Sequence, residues 1–428
     1  MLHVVATAWA LFLGLGMMML GNGLQGSLLG IRAAEAGFPT AVTGLVMSGY
    51  YIGFLAGSVL TPKVVSNVGH VRVFSALASL ASVAALIYGV FVEPFTWGAM
   101  RFITGFCYAG LYVVAESWLN DRATNETRGQ LLSVYMVVLL GGLAVGQVLL
   151  NVADPNGMLL FLLASALISL ALVPISLTAG PTPAFDAPAK IGIRELYWTS
   201  PLGVIGAMAT GLAHGTLFGL GAVYAEKLGL SVAEISLFMG AAIVGGLVFQ
   251  WPIGRLSDRF DRRRVLTITT FLAAIFALAT LSVGTLAIEA LFVLTFLFGG
   301  MTLPIYSLCI AHTNDHLEPA QMVAASGTLV LVGGIGATFG PSLGAVFMSV
   351  VGPEGFFLTL GAVHSGIGFF ALYRMSKRAA TPLDEQGPAV PVVSGAVPAG
   401  GGALSAAALR DQMDSDLAQM SRMQRRRF

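Results

Sequence analysis

An all-α membrane protein, with twelve transmembrane helices in two pseudo-symmetric six-helix bundles, is the fold class this sequence predicts, on three observations. Only 10% of the 428 residues are charged and 56% are hydrophobic, against roughly 25% charged in ordinary soluble domains. Apolar runs of about 20 residues, long enough to cross a hydrocarbon core as helices, follow one another almost without interruption. A charged stretch between two such runs, Gly254-Arg255-Leu256-Ser257-Asp258-Arg259-Phe260-Asp261-Arg262-Arg263-Arg264, also has a degraded copy upstream, Pro62-Lys63-Val64-Val65-Ser66-Asn67-Val68-Gly69-His70-Val71-Arg72, in register at a spacing of 192. The chain therefore reads as a duplication.

In order, the apolar runs cover residues 6 to 30, 40 to 61, 72 to 92, 95 to 119, 130 to 152 and 157 to 178, then 201 to 226, 233 to 254, 264 to 284, 287 to 311, 321 to 350 and 355 to 373. Backbone polar groups in lipid must be satisfied within the segment, which makes each run a helix. The first run lacks the short apolar core and small-residue cleavage site of a signal peptide and is read as retained. Residues 1–178 form an N-terminal bundle and 201–375 a C-terminal one. Between them, 179–200 opens on Ala179-Gly180-Pro181-Thr182-Pro183, the one internal break long enough for a linker. The tail, 376–428, is mostly disordered in this reading. Its Leu409, Met413, Leu417, Met420 and Met423, with Arg425-Arg426-Arg427 behind, suit an amphipathic helix over 404–424 on anionic lipid, or simple disorder.

Of the 22 Lys and Arg, only Arg32, Arg101 and Lys227 lie on or near the connections after odd-numbered runs. The positive-inside rule then places both termini and the linker in the cytoplasm, of a bacterial inner membrane. Cys107 and Cys309 fall within runs and read as packing residues. No Lys follows a Gly, so there is no GKS or GKT phosphate loop, and the chain alone is expected neither to hydrolyse ATP nor to be an enzyme. No cofactor, metal or nucleic-acid partner is expected; membrane lipids are, and the chain is read as a monomer.

Two further matches support the repeat. Gly105, Tyr112, Asn120 and Asp121 recur at a spacing of 194 as Gly299, Tyr306, Asn314 and Asp315, and Gln25-Gly26-Ser27-Leu28-Leu29-Gly30 recurs at 189 as His214-Gly215-Thr216-Leu217-Phe218-Gly219. Parallel halves related by an axis along the membrane normal are an arrangement of secondary transporters, with the solute held between them near the midplane.

On these residues the chain resembles a transporter of the major facilitator superfamily, over residues 1 to about 375. The run Ala115-Glu116-Ser117-Trp118-Leu119-Asn120, with Val68-Gly69-His70-Val71-Arg72, is similar to the bacterial YcaD-type members. The resemblance implies a loop motif, G-x-x-x-D-x-x-G-R-x-x-R, after the second run and more weakly after the eighth. Here the second copy is the fuller one, with Gly254, Asp258, Arg259, Arg262 and Arg263 in place and Asp261 at the second glycine. The first copy has Ser66 for the acid and Pro62 for the leading glycine.

A rocking transporter needs contacts that hold one side shut and then release. Asp258, Arg259 and Arg262 suit such a switchable cytoplasmic gate, although the arginines equally suit topology and lipid phosphates. Glu116, whose counterpart is the apolar Ile310, is expected to join this gate by pairing with Arg128 or Arg72, with proton carriage as the alternative. Arg101, four before Gly105, matches the R-x-x-x-G pattern that the resemblance ties to proton coupling, and contact with an anionic solute is the other role it suits. An arginine within lipid costs about 2.5 to 3.5 kcal/mol on insertion scales, so a cavity or an acid partner is expected unless it snorkels to the interface. Asn22 and Gln25 share a helix face. With His214 and Tyr112 they are expected to line a solute cavity, His214 also serving coupling; an interhelical packing bond is the alternative for the polar pair. Arg32 and Glu35 read as a local pair or an outer gate.

The superfamily's G-x-x-x-G-P antiporter pattern is absent from the fifth run, Gly142-Leu143-Ala144-Val145-Gly146-Gln147, and appears instead in the eleventh, Gly336-Ala337-Thr338-Phe339-Gly340-Pro341. His312 and His316 read as loop polar groups beside Asp315. The function expected is secondary transport of a small organic solute by alternating access, coupled to protons or another ion. The alternative is a non-transporting sensor or assembly protein on the same scaffold, hinted at by Ser66.

Overall fold

The computed structural model describes residues 8–122, 128–177, 191–283, 287–382 and 386–387. Spans one to six are Trp9–Glu35, Thr40–Val68, His70–Val90, Pro94–Arg122, Arg128–Val148 with a 3₁₀ turn Leu149–Val152, and Leu159–Leu170 continued by Leu172–Ser176. A short helix, Ile193–Thr199, precedes spans seven to twelve: Pro201–Lys227, Val232–Arg259, Arg262–Val283, Ile288–Thr302 with Ile305–Asn314, Pro319–Val351 and Gly355–Lys377. Several helices outrun their apolar cores, the first ending at Glu35 and the second at Val68 rather than near 30 and 61.

Among the described residues, eleven helices are long and apolar enough to cross a membrane. The first span falls outside that set because Asn22, Gln25 and its glycines dilute its hydropathy, yet both polar residues are buried. A helix that carries polar side chains away from lipid belongs in the interior. Gly37 and Gly229, 192 apart, both take positive φ (73° and 79°) just past the ends of spans one and seven, the left-handed conformation that glycine adopts without a Cβ penalty.

Small residues set the helix packing, as expected where lipid removes the hydrophobic drive between helices. A Cβ on Gly105 would collide with the Tyr50 carbonyl oxygen, and one on Gly53 with that of Phe102, so spans two and four meet backbone to backbone. Gly299 against Ala242 and Gly245 against Phe296 repeat the contact between spans eight and ten. Gly336 and Gly340 press on Met208 and Leu212 of span seven, while Gly142 and Gly146 press on Met19 and Leu20 of span one. At the residue after each pair, Gln147 donates to the Gly23 carbonyl and accepts from Ser27; opposite Pro341, Thr216 donates to the Gly340 carbonyl instead. The displaced G-x-x-x-G-P is thus the second half's form of one packing joint.

Contacts between the halves gather at the face far from the linker. Ser48 and Ser342 share a 2.9 Å hydrogen bond, Ser236 donates to the Gln147 carbonyl at 2.6 Å, Gly30 abuts Ala222 and Val223, and Gly44 abuts Pro341 and Ala345. Toward the linker face the central helices come apart. Span one exposes a stripe of Trp9, Leu13, Gly16, Met17 and Leu20, and span seven one of Ile205, Met208, Ala209 and Leu212. Beyond these stripes only Gly26, and Phe218 in span seven, keep partial exposure before the far end. A cleft between the halves therefore opens at the linker face and ends near mid-span.

Candidate functional site

The cleft ends at a polar and aromatic cluster. Asn22 Nδ2 donates to Tyr112 Oη at 3.5 Å, and the Tyr112, Tyr108 and Tyr50 rings follow one another at centroid distances of 6.3 and 6.4 Å. A Cβ at Gly26, one turn beyond Asn22, would meet nothing within 4 Å, so the first span fronts open space at this depth. Gln25 is buried with its Nε2 unpartnered. At the far end of the cluster the Arg101 guanidinium lies 4.7 Å from the Tyr50 ring centroid, with Tyr51 and Tyr88 close by. Gly105 explains that placement: one turn along from Arg101, it brings span four onto the Tyr50 backbone. Arg101 is only 6% exposed and does not snorkel out.

His214 turns into its own half rather than toward Asn22 or Tyr112. Its Nε2 lies 3.2 Å from the Thr302 carbonyl, and His364 Nε2 lies 2.9 Å from the Thr302 hydroxyl. Span ten breaks at Leu303-Pro304, where proline offers no N–H and crowds the preceding turn. Two fully buried histidines thus meet at a helix discontinuity. His214 is visible in the sequence through the repeat, whereas His364 lies in the peripheral twelfth span and has no matching partner in the first half.

At the linker face Arg262 is the hub of a buried charge cluster. It donates to Asp315 Oδ1 at 2.5 Å, Ser257 Oγ at 2.9 Å, the Ala311 carbonyl at 3.0 Å and the Gly387 carbonyl at 2.6 Å, with Asp258 at 3.4 Å. Arg263 is held by Asp261 at 3.0 Å and donates to the Arg378 carbonyl. Hydrogen bonds from the Arg263 side chain and backbone outweigh burial and hold the Asp261 carboxyl below its usual range. Arg259 is exposed and makes no ion pair among the described residues. The expected partnership of Asp258 with Arg262 is therefore present, but the shorter contact is with Asp315. In the sequence Asp315 stands out only as the repeat image of Asp121 and the neighbour of His312 and His316, with nothing to pair it with Arg262. Gly387 brings the start of the tail into the cluster, and Gln386 and Thr381 line a recess there with Arg374 and Arg378.

Burial pushes the Asp315 carboxyl up from 3.8 to about 6, against the pull of Arg262 and the Gly387 N–H. Between those values the folded chain holds a proton that the unfolded chain has released, so this group's contribution to stability falls as pH rises through the window. Measured against an Asp315→Asn variant, the wild-type unfolding temperature should decline from pH 3.8 to about 6. A flat difference would show that Asp315 titrates normally.

In the first half His70 stands where Arg262 stands in the second. Its Nε2 lies 2.9 Å from Ser117 Oγ and its ring lies beside Trp118. Glu116 accepts from Tyr135 Oη at 3.0 Å; Arg72 is exposed, and the Arg128 side chain lies outside the described residues. No Glu116–Arg72 ion pair forms among the described residues. At the far face Arg32 donates to Asn156 Oδ1, not to Glu35, which is exposed. The reason is reach: the loop before span six brings Asn156 over the end of span one, while Glu35 sits past it in solvent. Tyr224 packs among Phe238, Phe356 and Phe357 within the second half. His316 Nδ1 lies 2.9 Å from the His312 carbonyl, and Cys107 and Cys309 are free and buried. The linker over 179–190 and the tail helix over 404–424 lie outside the described residues.

Comparison with known proteins agrees with this architecture. The family model described as Major Facilitator Superfamily matches residues 11–203 and 203–412. A protein of Salmonella arizonae named as an uncharacterized MFS-type transporter, YcaD, is 31% identical over 378 residues, covering 87% of this chain and 97% of its own length. The crystal structure of the nucleoside transporter NupG superposes with a TM-score of 0.70 at 14% identity, covering 86% of this chain and 99% of its own. That of a bacterial homologue of the human lysosomal transporter Spinster, inward-facing and occupied, gives 0.71 at 14%, covering 89% and 98%. With two halves built on one packing plan and a family match in each, the chain belongs to the major facilitator superfamily, as a multi-pass membrane transporter of small-molecule solutes.

Proposed function

We propose that this protein is a monomeric secondary active transporter of a bacterial inner membrane, with both termini in the cytoplasm, moving a small organic solute by alternating access coupled to protons. The observation that carries the reading is the unequal packing along the membrane normal. Within each half, helices meet at glycines with no slack, whereas the halves touch near one face and part at the other. Two stiff bodies that meet along one face and part at the other are suited to rocking. With the linker face cytoplasmic, this conformation is open to the inside.

The Asn22–Tyr112 pair at the end of the cleft, with Gln25 beside it, is the solute-contacting surface in this reading. Arg262 with Asp258 and Asp315 is the cytoplasmic hinge cluster, which holds spans eight, nine and ten together while the halves move. His214 and His364 are the coupling candidates, because these two buried imidazoles meet around Thr302 at the break in span ten. Arg32 braces the outer end of span one through Asn156.

Inverted or right-side-out vesicles containing the protein, screened for uptake of labelled metabolites with and without an imposed pH gradient, test this. Accumulation that needs the gradient is expected, with a tenfold or greater loss in an Asn22→Leu variant. Absence of accumulation and of counterflow for every metabolite class would contradict transport.

A further inference from the structure

Arg101 is a buried cation without an acid. It is 6% exposed, its Nε has no hydrogen-bond partner, and among the described residues no carboxylate forms an ion pair with it. Desolvating a guanidinium costs several kcal/mol unless it is paired, and the cation–π contact with Tyr50 returns roughly 2 kcal/mol even when desolvated. The surroundings add donors rather than counter-charge: Tyr50 Oη is buried without a hydrogen bond, and the Gln25 Nε2 amide, in the neighbouring first span, is unpartnered as well. Gly49 leaves span two close against the Arg101 side chain, so a second protein side chain has no room to supply the anion from there. From Arg101 the Tyr50, Tyr108 and Tyr112 rings lead without interruption to Asn22 at the end of the cleft.

We propose that Arg101 docks the acidic group of the solute, and that the solute is an organic anion with a flat or apolar body that lies along the Tyr50, Tyr108 and Tyr112 rings. The missing counter-charge arrives with the cargo. Ser48 and Ser342, which close the halves together two residues before Tyr50, lie just beside this place. Opening of the far face therefore uncovers Arg101 directly, and closing seals the anion on it. The inference rests on the transporter reading above, and it names the solute class for that cleft.

Two measurements on the full-length purified protein separate this role from a structural one. In solute-free protein, Arg101→Met removes an uncompensated charge at similar volume, so the unfolding temperature should rise, by about 2 to 4 °C for each kcal/mol gained. If Arg101 is a structural clamp on the tyrosines, the same variant falls, and the proposal is overturned. In the second, wild-type protein is titrated with benzoate, hippurate and hexanoate, each beside its neutral amide. At least one acid should stabilise the wild type, its amide should act ten times more weakly or not at all, and Arg101→Gln should abolish the effect while Arg101→Lys keeps part of it. Equal response to acid and amide, no response to any acid, or an unchanged response in Arg101→Gln overturns it. Gradient-dependent uptake of neutral or cationic solutes alone, untouched by Arg101→Gln, would leave the transporter reading standing while removing this one.

Discussion

Exchanging Arg262 for alanine is expected to destabilise the protein by about 3–5 kcal/mol, the range for removing one partner of a buried ion pair. The effect comes from what the change strands. Asp315, whose side chain is 2% exposed, would lose its 2.5 Å partner, and Ser257, the Ala311 carbonyl and the Gly387 carbonyl would each lose a donor. Arg262→Lys should recover only a part, since an ammonium cannot reproduce the planar fork that reaches Asp315 and Gly387 on separate nitrogens. Adding Asp315→Asn to Arg262→Ala should restore more than half the loss, because a neutral amide tolerates burial better than an unpaired carboxylate. Thermal unfolding of the four proteins forms a double-mutant cycle. A loss below about 1 kcal/mol, as exposed ion pairs give, would show that the cluster is not buried in the membrane-embedded protein.

Gly336→Ala should cost about 1–3 kcal/mol, with Gly336→Leu beyond the reach of repacking. A Cβ there collides with the Met208 carbonyl oxygen, and backbone cannot rotate aside as a side chain does. Spans seven and eleven would have to separate, and the contacts of Gly211 with Gly333 and of Gly215 with Ala337 would loosen with them. Gly366 supplies the control, because a Cβ there meets nothing within 4 Å; Gly366→Ala should be neutral or gain up to about 1 kcal/mol from helix propensity. Equal behaviour of the two variants in unfolding assays would refute glycine-limited packing.

Much of the fold was legible because lipid imposes a length on every crossing helix and the duplication supplies each half with a check on the other. The first span reads as an apolar run over 6 to 30 in spite of Asn22, Gln25 and its glycines, and the match of Gln25 to His214 pairs it with span seven. The polar sites were less legible. Arg262 was recognised as part of a gate, but its main partner, Asp315, lies 53 residues on, and only folding shows that spans nine and ten bring them together. His364 had no repeat image and no motif. Arg32 and Glu35, three apart on one helix, gave a local pairing expectation that Asn156, from another loop, displaces. Short-range spacing reports what a helix places on one face, whereas the partners that satisfy buried groups here come from other helices.

Alternating access requires the halves to close the far face and open it in turn. Ser48→Cys with Ser342→Cys, at positions whose hydroxyls lie 2.9 Å apart, tests it directly, since the native Cys107 and Cys309 are buried. Oxidation should form an intramolecular disulfide that stops uptake in vesicles, and reductant should restore it. Uptake that continues at the wild-type rate with the disulfide formed would contradict alternating access.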